Sequence, residues 1–154
     1  MSFSLRVLVD EKVLYMSTDN IPFKNLSIRD NILKSSKNIY QISITKDLVI
    51  LTTEYAPQSE SDQSPSTSLN KIITNNIDAY DWDGNHLWNI ADVVGNLEIP
   101  FWGGTVTTKE LVKPYVNFDK SHGDIGDLFS CTAGNFLYII DLNNRKVLQT
   151  IETK

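Results

Sequence analysis

A chain of 154 residues with 41% hydrophobic and 21% charged residues has the composition of a folded domain, which excludes global disorder. Its net charge of −5 argues against a nucleic-acid backbone or an anionic membrane as the main partner, because both call for a basic footprint. At this length one domain, residues 1–154, is expected, with a core of useful size.

The N-terminal stretch M-S-F-S-L-R-V-L-V-D has neither the positive leading region nor the apolar run of a signal peptide, and no stretch reaches the roughly 20 apolar residues of a membrane span. Cys131 is the single cysteine, so no intrachain disulfide forms and a cytoplasmic setting is expected. Phe3, Leu5, Val7 and Val9 alternate with other residues and Val13 and Tyr15 continue after Asp10-Glu11-Lys12, which predicts a hairpin. Ile21 to Lys37 fits either a strand or one short helix, because Pro22 and Lys34-Ser35-Ser36-Lys37 interrupt its apolar pattern. Tyr40, Ile42 and Ile44 predict a strand, as does the β-branched run from Leu48 to Tyr55.

Residues 56–70 are almost entirely Ser, Pro, acid and amide side chains, the composition of a flexible polar insertion loop. Asn76 to Ile90 then reads as two strands around Asp83-Gly84, a hairpin turn in which glycine takes φ > 0 without steric cost. Glu98 to Val106 holds Pro100 and Gly103-Gly104 and is expected to be a loop that changes direction. Thr108 to Val112 suits one helical turn stopped by Pro114, Tyr115 to Phe118 a strand, Asp119 to Gly126 a polar loop, and the remainder three strands.

The central hairpin recurs near the C-terminus. Asp141 stands sixty positions after Asp81, and the ungapped alignment sets Leu137 on Ile77, Asn143 on Asp83, Val147 on Leu87 and Leu148 on Trp88. Recurrence at a fixed offset is the sign of stacked supersecondary units. The pattern strand, D-x-x-G-x-x-x-W, strand, together with Asp127 to Ile151, resembles blades of the quinoprotein-type β-propellers, whose repeat contains "l-y-a-l-d-x-x-t-G-k-x-l-W". Here Asn144 takes the place of the turn glycine and Leu148 that of the tryptophan. The resemblance implies blade geometry and none of the quinone chemistry, since cofactor-binding relatives use a full ring of blades; no cofactor is expected.

The expected fold class is therefore all-β, with antiparallel propeller-blade-like sheets amounting to two blades and part of a third. Propellers close with at least about four blades. An incomplete propeller, an irregular β-sandwich, or a homodimer that covers the open edges are the solutions this count allows.

Four groups of residues invite a functional reading. Asp81, Asp83, Asn85 and Asp92 resemble alternating calcium ligands, but Gly84 and His86 fall at the wrong positions for an EF-type loop and a hairpin accounts for them better. Asp119, His122, Asp124 and Asp127 gather potential ligands on a glycine-containing loop; His122, Asp124 and Asp127 form the candidate metal set, against the plainer reading of a polar loop. Cys131 becomes a nucleophile only with His122 or His86 in hydrogen-bond reach, and a small buried residue is the commoner role. Trp82, Phe101 and Trp102 are the candidate partner-binding aromatics: Trp82 is expected to stay exposed beside its turn, while the Phe101-Trp102 pair suits either a core plug or an exposed anchor. The balance favours a non-enzymatic protein-binding role through loops, as an inhibitor, immunity-type protein or assembly subunit. The alternative is a metal-dependent enzyme or small-ligand protein built on His122, Asp124 and Asp127.

Overall fold

The computed structural model describes residues 3–9, 12–18, 23–28, 31–54, 72–118 and 125–153. Among them run the strands β1 (Phe3–Val9), β2 (Lys12–Thr18), β3 (Phe23–Ile28), β4 (Asn31–Ile44), β5 (Val49–Thr53), β6 (Ile77–Tyr80) and β7 (His86–Asn89). Helix α1 (Ala91–Val94), β8 (Phe101–Thr107), helix α2 (Lys109–Val112), β9 (Leu128–Ala133), β10 (Phe136–Asp141) and β11 (Lys146–Glu152) follow. The strands form a seven-stranded antiparallel sheet in the order β1 to β7 and a four-stranded antiparallel sheet in the order β11-β10-β9-β8. The all-β expectation holds.

The long β4 explains why seven strands form one sheet. Its N-terminal part pairs with β3, from Asn31↔Ile28 to Lys34↔Asn25, and its part from Ile39 onward pairs with β5, ending at Ile44↔Val49. One strand thus serves two meanders, β1–β4 and β4–β7, each four strands wide. The second of these and the β8–β11 sheet are the two blade-like units, and their first strands β4 and β8 lie side by side. Residues 56–70 lie outside the described residues, but the strands they connect, β5 and β6, pair directly from Val49↔Tyr80 to Thr52↔Ile77.

Three segments differ from the sequence expectation or settle it. Ile21 to Lys37 contributes β3 and the start of β4, so the strand alternative applies. Tyr115 to Phe118 is not a strand; the Tyr115 and Val116 amides donate to the Val112 carbonyl and continue the turn that leaves α2. Phe101 to Thr107 is a strand rather than a direction-changing loop. Its two glycines serve packing: a Cβ at Gly104 would lie 2.3 Å from Phe129 Cζ, and one at Gly103 would lie 2.8 Å from Gln41 Oε1. Glycine here signals close approach of neighbours, the other meaning it carries inside a strand.

The main core fills the space between the two sheets. Ile50, Ile77, Ala79, Trp88 and Ile90 from the first pack with Phe101, Phe129, Cys131, Ala133 and Ile140 from the second. Alternation does the sorting in β9, where Phe129, Cys131 and Ala133 face this core and Leu128 points to the opposite side. Full burial of a Leu, Ile or Phe side chain stabilises by about 1.5–3 kcal/mol, so this layer holds the two units together.

Two polar links fix their mutual register. Asn76, 1% exposed, donates through Nδ2 to the carbonyls of Thr53 (2.9 Å) and Phe101 (3.0 Å) and accepts at Oδ1 from the Phe101 amide (2.8 Å). Gln41 Oε1 accepts from the Gly104 amide at 2.9 Å, and Ser43 Oγ donates to the Gly104 carbonyl at 3.3 Å. Every hydrogen-bonding direction of Asn76 used here crosses to β5 or β8, so the side chain specifies one alignment of the sheets.

Candidate functional site

The repeated aspartates are turn-builders. Asp81 Oδ1 accepts from the amides of Asp83 and Asn85, both at 2.9 Å, and Oδ2 accepts from Asn85 Nδ2 at 3.1 Å. Asp141 repeats the device: Oδ1 accepts from the amides of Asn143 (3.0 Å) and Asn144 (3.3 Å), and Oδ2 from Asn144 Nδ2 at 2.7 Å. The sixty-residue repeat is therefore physical as well as textual. One detail differs: the left-handed residue of the second turn is Arg145 (φ 54°), not Asn144, whereas Gly84 (φ 88°) plays that part in the first. The same bonds answer the calcium reading, because the Asp81 oxygens are directed at their own turn and Asp92 Oδ2 accepts from the Asn89 amide at 2.9 Å. Donation by the Asn85 amide and side chain holds the Asp81 carboxyl below its ordinary range.

The three aromatic candidates separate. Trp82 is 4% exposed and packs with Ile39, Val49 and Leu51, contrary to its expected exposure beside the turn. Burial is made possible by its indole Nε1, which donates to the Thr45 carbonyl at 3.2 Å and so keeps the polar end paired. Phe101 is fully buried, its ring 6.0 Å from that of Tyr138, and is the core plug. Trp102 occupies the irregularity between Phe101 and Gly103 in the β8–β9 pairing and is 52% exposed. A bulge commonly re-aims a side chain in this way.

Further exposed apolar residues stand on the connection from β8 to β9, and sequence reading did not single them out. Thr108 caps α2 through Oγ1, which accepts from the Leu111 amide at 3.2 Å. Val112 and Val116 are buried against Leu128 and Ile139, so this connection covers the outer face of the β8–β11 sheet. Leu111 and Tyr115, each one position earlier, are consequently turned away and are 68% and 63% exposed. The sequence carries no signal for this split, because two neighbouring positions of an amphipathic helix can both face a core.

Of the proposed metal set, His122 and Asp124 lie outside the described residues, as does Asp119, while Asp127 is exposed ahead of β9. Among the described residues no three His, Cys, Asp or Glu side chains are grouped for metal binding. His86 does not serve Cys131: its Nε2 meets Asp78 Oδ1 at 2.9 Å on the exposed side of β6–β7, with the Tyr80 ring edge-on at 5.3 Å. Burial, then the nearby Asp78 charge, raises the Tyr80 hydroxyl above its ordinary value. Cys131 is 1% exposed, and burial pushes its thiol far up, so it remains protonated and is a packing residue.

No family model matches the sequence, and no curated protein matches it. Among solved structures, the crystal structure of HIRA(644–1017) is similar over 98% of this chain and 38% of that one, with a TM-score of 0.44 and 10% identity. This chain thus spans less than half the length of that structure, and the likeness is one of backbone course alone.

Proposed function

We propose that the protein is a non-catalytic binding module that engages a protein partner through the outer side of its second sheet. The observation that carries this reading is the pair Leu111 and Tyr115, 68% and 63% exposed beside the buried Val112 and Val116. A large aliphatic and an aromatic side chain, held on a short helix and the turn that leaves it, which Val112 and Val116 anchor to the sheet, form a preorganised apolar contact. Trp102, half-exposed on the first strand of the same sheet, is a second anchor on that unit. The net charge of −5 favours a basic or neutral partner.

The test is affinity capture from host lysate with the wild type and with a Leu111→Ser/Tyr115→Ser variant. Exposed substitutions of this kind change stability by about 0.5 kcal/mol or less, so the fold is retained. A specific protein recovered by the wild type and lost from the variant supports the reading. Capture that is equal for both, or absent for both, overturns it. Light scattering over a dilution series identifies the case in which the partner is a second copy: mass then rises with concentration, and the variant stays monomeric.

A further inference from the structure

The two edges of the second sheet differ. On β8 the Gly104 amide donates to Gln41 Oε1 and the Gly104 carbonyl accepts from Ser43 Oγ, so side chains of β4 occupy the edge that faces the first sheet. On β11 the single neighbour is β10, and among the described residues no strand pairs with its other side. Such an edge is a row of unpaired amides and carbonyls, which proteins commonly blunt with proline, shortness, a bulge or charges along the strand. β11 has seven residues, no proline, and charges only at its ends, Lys146 and Glu152. Its one interruption is at Leu148, which has no partner on β10. Lys146 and Glu152 are exposed, and neither forms an ion pair among the described residues.

The order of residues along this edge complements itself. Set antiparallel to a second copy about Gln149, Lys146 opposes Glu152, Val147 opposes Ile151 and Leu148 opposes Thr150. Opposite charges and β-branched residues facing one another are favourable cross-strand pairs. Sliding one copy by two residues in either direction loses both Lys–Glu pairs, so charge selects this register. We propose that the protein associates as a two-fold homodimer through β11, the two edges pairing about Gln149 to make one continuous sheet. The contact is isologous: each end of one strand meets the opposite end of the other, and every pair occurs twice. It uses none of Leu111, Tyr115 and Trp102 and stands or falls separately from the partner-binding reading.

The experiment is sedimentation equilibrium of the full chain over a dilution series. The wild type is expected to rise from the chain mass of 17.4 kDa to twice that value, and Leu111→Ser/Tyr115→Ser is expected to do the same. Charge reversal tests the register. Glu152→Lys sets lysine against lysine at both ends of the contact, and Lys146→Glu sets glutamate against glutamate, so each alone is expected to raise the dissociation constant by about tenfold. Mixed in equal amounts, the two variants again oppose lysine to glutamate at both ends and are expected to recover the wild-type constant. Both positions are exposed, so folding is retained; Glu152→Lys, whose neighbour on β10 is Phe136, also leaves the charges around the β10–β11 turn untouched. A wild type that keeps the monomer mass up to about 1 mM overturns the proposal. So does a dimer that Glu152→Lys leaves unchanged, or a mixture that associates no better than the single variants. A dimer lost from Leu111→Ser/Tyr115→Ser overturns it in favour of the outer surface.

Discussion

Replacing Asn76 tests whether one buried amide holds the two sheets in register. Asn76→Ala removes three hydrogen bonds, of 2.9, 3.0 and 2.8 Å, and strips the buried Phe101 amide of its Asn76 acceptor. At about 1 kcal/mol per bond, with an additional penalty for any donor left unpaired, the expected loss is about 4 kcal/mol. That is a large share of the roughly 5–15 kcal/mol that holds a domain folded. Asn76→Asp is nearly isosteric but presents acceptors to the Thr53 and Phe101 carbonyls, so it is expected to be at least as damaging at neutral pH. Its folded-state pKa would be raised above the unfolded value of about 3.9. Stability of this variant is therefore greatest at low pH and falls as pH rises from about 3.9 through the folded-state value. Urea unfolding followed by tryptophan fluorescence measures both effects through the midpoint at unchanged slope. A loss below about 1 kcal/mol for Asn76→Ala, or an Asp variant as stable as the wild type at pH 7, would refute the register argument.

Gly104→Ala drives a Cβ to 2.3 Å from the buried Phe129 ring and is expected to cost about 3 kcal/mol, whereas Gly103→Ala meets only the mobile end of Gln41 and costs less; thermal denaturation of the two variants should rank them in that order. The depressed Asp81 carboxyl contributes stability that is present above its unfolded pKa of about 3.9 and is lost as pH falls through its lower folded value, and Asp81→Asn should flatten that acid limb in a pH-dependent melt. Cys131 should resist iodoacetamide in the native protein at pH 8 and react on unfolding, so native labelling at a rate close to that of the unfolded chain would contradict its burial.

The strands were largely legible because each carries a local signal. Alternation marked the early hairpin that became β1 and β2, and Asp83-Gly84 marked the turn between β6 and β7. The repeated Asp81 and Asp141 were legible for the same reason, since an aspartate accepting from amides two to four residues ahead is a local device. Gly103-Gly104 misled because sequence reports that a side chain is missing without reporting why: the reason, Phe129 and Gln41, comes from other strands. Trp82 misled similarly, as its burial depends on the Thr45 carbonyl, thirty-seven residues away in the chain.

What the sequence determined by itself was thus the class and the units: antiparallel β structure, a polar insertion between paired strands, and a hairpin used twice. Tertiary structure alone decided which aromatic is buried, which glycines are close contacts, that Leu111 and Tyr115 face outward, and that β11 stands at an edge of its sheet. The division has a physical cause. Periodicity and turn chemistry act over a few residues and are written in consecutive letters, whereas burial and pairing between sheets depend on which side of one strand meets which side of another. Asn76 acquires its meaning only when β5 and β8 arrive on either side of it.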